Sequence, residues 1–141
     1  MRYLVAIVAV LLLVVGCGGS SAVPSSLQLE RVEWRAVSIA GVPPLPKNVP
    51  TMTLNNGLIS GSAGCNHYSG AARIEAGRLV VDQLAMTAMA CLDNRANTLE
   101  MQFANILSSK PLIGSRGGML VLQGKGGEVV FTSNQTTTPT D

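Results

Sequence analysis

A chain of 141 residues has room for one domain. Only 13% of it is charged, against roughly 25% in typical soluble domains, and the formal net charge is +2 with no run of Lys or Arg. That balance excludes an electrostatic surface for nucleic acid or for anionic lipid, and no nucleic-acid partner is expected. Aromatic content of 4% leaves the core to Leu, Val, Ile, Ala and Met.

Met1-Arg2-Tyr3 is a short positive start to an apolar run from Leu4 to Val15. The run is shorter than the roughly 20 residues a spanning helix needs. It fits the apolar region of a secretory signal, with residues 1–16 as the signal peptide. The segment ends Val14-Val15-Gly16-Cys17-Gly18-Gly19-Ser20-Ser21, which resembles the bacterial lipobox. That resemblance implies that the Cys17 thiol is acylated, palmitate included, and that cleavage leaves Cys17 as the first residue. Buried acyl carbons stabilise membrane association by about 0.8 kcal/mol per CH₂, so a multiply acylated Cys17 is a durable anchor. The odd cysteine count is thereby resolved.

Residues 17–26 read as lipidated Cys and flexible tether, small and polar with one Pro at Pro24. No Asp follows Cys17, so by analogy the expected location is the bacterial cell envelope, on the outer membrane facing the periplasm in a Gram-negative cell.

The body occupies 27–133. Leu29 to Ile39 alternates, with Val32, Trp34 and Ala36 on one face, which predicts a half-buried strand with Trp34 as a core anchor. Pro43, Pro44, Pro46 and Pro50 make 40–50 a loop. Short strands Thr51–Leu54 and Leu58–Ser62 flank Asn55-Asn56-Gly57, a strong hairpin signal. A glycine-rich loop follows, then a hairpin of Ala71–Ile74 and Arg78–Leu84 around Glu75-Ala76-Gly77. Met86 to Cys91 is apolar and expected to be buried.

Asp93 or Asn94 is placed to cap a helix from Arg95 to Ser108, ended by Pro111. Leu92, Ala96, Leu99, Phe103 and either Ile106 or Leu107 form its apolar stripe, with Arg95, Asn97, Glu100, Gln102 and Asn105 largely outside it. Strands Leu112–Ser115, Met119–Gln123 and Glu128–Thr132 follow, with glycine turns between them. The Thr-rich 134–141 is expected to be a disordered tail. The order predicts an α+β domain: a small antiparallel curved sheet or incomplete β-barrel with one packed helix.

Chemistry concentrates at Cys65, His67 and Cys91, where four readings compete. In an exported chain with Cys17 lipidated, Cys65 and Cys91 can form a disulfide closing a loop of 27 residues, worth about 3–4 kcal/mol. They can also be buried reduced cysteines. With His67 they offer a zinc ion three ligands without the usual spacing. Cys65 with His67 as base is the fourth, and no third group orients the pair. No catalytic residue, metal site or cofactor is assigned. The glycines suit turns, for there is no phosphate-loop spacing.

The residues Ile59-Ser60-Gly61-Ser62-Ala63-Gly64-Cys65-Asn66-His67-Tyr68-Ser69-Gly70 and Leu84-Ala85-Met86-Thr87-Ala88-Met89-Ala90-Cys91, behind a Trp34 strand and ahead of the helix, resemble the META domain, a family that includes the HslJ-type heat-shock proteins. Its motif residues here are Gly64, Cys65, Asn66, Tyr68, Gly70, Thr87, Met89, Ala90 and Cys91. The resemblance implies a small antiparallel β domain with a helix, often exported and lipid-anchored, tied to envelope and stress phenotypes rather than to a reaction. The expected function is therefore non-enzymatic support of envelope integrity or stress tolerance. It would act through an envelope protein partner. The other expectation is a carrier of a small hydrophobic ligand or lipid in a sheet-helix cleft, with a Cys/His enzyme third.

Overall fold

A computed structural model describes residues 29–133. The signal segment, Cys17, the tether and the tail 134–141 lie outside the described residues. Nine elements follow in order: β1 Glu33–Ile39, β2 Thr51–Asn55, β3 Leu58–Ser62, β4 His67–Glu75, β5 Arg78–Met86, α1 Asn94–Ser108, β6 Leu112–Arg116, β7 Met119–Gly124 and β8 Gly127–Ser133.

The strands pair antiparallel in sequence order, and β8 returns to β1. The sheet thus closes as an eight-stranded barrel, where an open curved sheet or incomplete barrel was expected. Closure removes sheet edges that would otherwise stay unpaired. Its thinnest seam is between β5 and β6, which share the single register pair Arg78↔Leu112. The bonds Leu79 N–H to Pro111 O (2.9 Å) and Ile113 N–H to Gly77 O (2.8 Å) flank it.

Because each strand reverses the last, the loops sort onto two poles. Ile39, Thr51, Ser62, His67, Met86, Gly124 and Gly127 end strands at one pole, and α1 is inserted there between β5 and β6. The first described residues and Ser133, paired with Trp34, lie at the other.

The barrel interior is filled. Ile39, Ile59, Leu122, Val129 and Phe131 from the strands pack with Phe103, Ile106 and Leu107 from α1 in one buried cluster. Phe103 bridges the two layers, its ring 5.5 Å from Tyr68 and 6.3 Å from Phe131. Asp93 caps the helix, its Oδ1 accepting from Arg95 N–H at 2.7 Å. No helix among the described residues is long and apolar enough to cross a membrane.

Five local expectations need correction. Leu29–Val32 is not strand: Arg31 adopts φ 61°, and the regular ladder starts at Glu33. The strand expected from Ala71 starts at His67, so most of the glycine-rich stretch is ladder and only 63–66 is loop. Thr87 to Ala90 is exposed where burial was expected, and Leu92 is fully exposed where it was assigned to the helix stripe. Glu100, placed outside that stripe, is buried.

At Gly61 the strands approach so closely that a Cβ would sit 2.1 Å from Thr51 O and 2.8 Å from Thr51 C. Backbone cannot yield cheaply, so Gly61→Ala is expected to cost about 1–3 kcal/mol in urea unfolding. Wild-type stability in that variant would show that β2 and β3 are not held this tightly.

Candidate functional site

The motif residues meet at the helix pole. Ser62, at the end of β3, turns the chain: its Oγ accepts from Gly64 N–H at 3.1 Å. Gly64 sits at φ 127°, a conformation L side chains rarely adopt. The turn presents the N–H groups of Cys65 and Asn66 side by side to α1. There both donate to Glu100 Oε2, at 2.9 and 2.7 Å.

Asn66 is 4% exposed and has every polar position matched. Its Nδ2 donates to Glu100 Oε1 at 2.6 Å and to Met89 O at 3.1 Å. Its Oδ1 accepts from Thr87 Oγ1 at 2.9 Å and from Met89 N–H at 2.7 Å. Its carbonyl accepts from Ala63 N–H at 2.7 Å. The Asn66 side chain therefore pairs with Met89 as a strand neighbour would, holding an exposed segment that lacks a ladder partner there. Thr87 extends the link, its Oγ1 accepting from His67 N–H at 3.1 Å.

Cys65 and Cys91 are joined by a disulfide with Cα atoms 5.8 Å apart. It ties the turn after β3 to the segment leading into α1. Of the four readings, the disulfide is the one this geometry bears out. The two sulfurs and a Glu100 oxygen lie within 4.8 Å of one another, but His67 is not in that group. Bonded to each other, the sulfurs offer neither a thiolate ligand nor a nucleophile.

Tyr68 and Gly70 serve the same framework. The Tyr68 hydroxyl donates to Thr51 O at 2.8 Å, and burial pushes its phenol far above the ordinary tyrosine range. Gly70 faces the irregularity in β5, where a Cβ would meet Asp82 O at 3.1 Å and Val81 Cγ1 at 3.2 Å. Met89 and Ala90 point outward, and Met89 is 59% exposed. Glu100, Ser62 and Thr51 belong to the site and were not singled out from the sequence. Glu100 had a signal, since Ala96, Glu100, Phe103 and Leu107 share the spacing of one helix face.

What the arrangement does chemically is hold backbone: a carboxylate, an amide and a hydroxyl are aimed at N–H and C=O groups of the chain itself. Cys17 lies outside the described residues.

Comparisons with known proteins bear on the fold and the family. A solved NMR structure matches with 27% identity and a TM-score of 0.66 over 75% of this chain and 92% of the other. A second, of a protein from Burkholderia xenovorans, has 22% identity and a TM-score of 0.60, covers 78% of this chain and 86% of its own, and bears on the fold alone. No curated protein matches the chain. The META domain model matches residues 27–136, most of the chain and all of the barrel. The chain belongs to the META domain family.

Proposed function

We propose that the chain is a lipid-anchored protein of the bacterial cell envelope, held by acylated Cys17, whose META domain is a non-enzymatic binding module that supports envelope integrity under stress. The observation that carries the non-enzymatic part is Asn66 and Glu100: the polar atoms of the family motif are consumed by the chain's own backbone. A second support is polarity of another kind. The first described residues lie at the pole opposite the motif, so a domain anchored through the segment before them would turn its helix pole, with exposed Met89 and Leu92, away from the anchor. The barrel interior is occupied by side chains, so no observation favours a carrier of hydrophobic ligands.

The test is metabolic labelling with a fatty acid together with membrane fractionation. The wild-type chain is expected to label and sediment with membranes, and Cys17→Ala to do neither. Labelling of Cys17→Ala would sink the anchor. A deletion strain is expected to become detergent-sensitive, with rescue by the wild type and not by Cys17→Ala. Unchanged sensitivity would sink the envelope role.

A further inference from the structure

From Leu84 to Leu92 the chain carries no charged residue and no proline, two of the devices that keep a strand edge from pairing with another chain. On one edge this stretch is fully engaged. Thr87 N–H donates to His67 O at 3.0 Å, and the Asn66 side chain takes both main-chain groups of Met89. Alternate residues of an extended chain turn their N–H and C=O groups to opposite edges, so Met86 and Ala88 direct theirs the other way. On that side the ladder between β5 and β6 has only the pair Arg78↔Leu112, at the far end of β5. Neither Met86 nor Ala88 makes a hydrogen bond there with any described residue.

We propose that this open edge accepts an extended peptide segment of a partner protein as an added strand, with Met89 and Leu92 covering its apolar side chains. Main-chain donors and acceptors spaced along a strand are matched by another main chain in the same conformation. Thr87 to Ala90 are exposed, and Leu92 is wholly so. Their apolar side chains therefore stand free beside the unpaired groups.

The segment is also fixed before anything binds. Asn66 holds it at Met89 and Thr87, and the disulfide holds it at Cys91. A binding edge already ordered loses little conformational entropy on association. A second copy of the chain fits less well than a partner peptide. Two copies of one edge pair antiparallel about a two-fold axis, which reverses the strand and exchanges the poles. Two domains anchored in one membrane at the same pole cannot meet in that way.

This inference rests on the binding-module reading above and, for the choice of occupant, on its anchor. Its test is titration of the purified, ¹⁵N-labelled full chain, disulfide intact, with the capped peptide acetyl-Thr-Val-Thr-Val-Thr-Val-Thr-amide. Saturable shifts and slowed hydrogen exchange are expected at the Met86 and Ala88 amides. The same peptide N-methylated at its three central residues keeps every side chain and loses those main-chain donors, and it is expected not to bind. Met89→Ser with Leu92→Ser is expected to weaken binding by about 10-fold or more, the worth of burying one such side chain, and to leave the thermal midpoint unchanged because both sit in solvent. Absence of saturable shifts would overturn the proposal, as would equal binding of the N-methylated peptide. Protection at Met86 and Ala88 that grows with protein concentration alone would make a second copy the occupant and overturn the peptide. A double serine variant that binds normally would overturn the part given to Met89 and Leu92. Failure of peptide binding alongside normal fatty-acid labelling and rescue would overturn strand addition alone. Peptide binding without labelling or rescue would support strand addition and sink the envelope reading.

Discussion

Glu100→Leu is expected to be the most damaging single side-chain change in the helix-pole site, lowering unfolding free energy by about 3–5 kcal/mol. The carboxylate accepts from Cys65 N–H, Asn66 N–H and Asn66 Nδ2, and leucine accepts from none. A buried donor stripped of its partner costs about 1–3 kcal/mol. Three such donors would exceed the stated range if all stayed dry. The lower figure follows because Cys65 is only half-buried and water can reach part of the loop. Glu100→Gln is expected to cost less, about 1–3 kcal/mol, since one oxygen remains while the new NH₂ faces donors. Glu33→Leu on an exposed position is the control, expected within about 0.5 kcal/mol. Urea unfolding of the purified variants with the disulfide intact decides it. A Glu100→Leu protein as stable as the control would show that the three bonds do not hold the loop.

The same residue shows where the sequence was legible and where it was not. Hairpins announced themselves locally, because Asn56-Gly57 and Gly117-Gly118 need positive φ and both pairs adopt it. The helix was legible from its stripe and cap. Glu100 was misplaced because a charged side chain was assigned to solvent by type, although its spacing from Ala96, Phe103 and Leu107 puts it on the packed face. What overrides its chemistry is a set of N–H donors 34 and 35 residues away in sequence, which no local pattern displays. Barrel closure was not legible for the same reason, since it rests on β8 returning to β1 and on the single register pair Arg78↔Leu112 across the helix insertion. The 87–90 segment misled in the opposite sense. Its composition is apolar, yet Asn66 holds it by Met89's main-chain groups and leaves its side chains in solvent.

Replacing both cysteines, as Cys65→Ser with Cys91→Ser, is expected to lower stability by about 3–4 kcal/mol, the chain-entropy value for a loop with a sequence separation of 26. On that account the loss arises in the unfolded chain, which gains freedom when the loop opens, and the native bonds to Glu100 and Asn66 persist. Two consequences separate this from a loss of native structure. The m-value should rise, because an unclosed unfolded chain exposes more surface. The effects of the double serine variant and of Glu100→Leu should add within about 0.5 kcal/mol when combined, since one acts on the unfolded ensemble and the other on the folded loop. Cys65 donates its own N–H to Glu100, so a disulfide needed to hold that N–H in place would instead make the combined loss smaller than the sum. A shortfall of more than about 1 kcal/mol would therefore identify the bond as part of the native scaffold on which the Glu100 contacts depend.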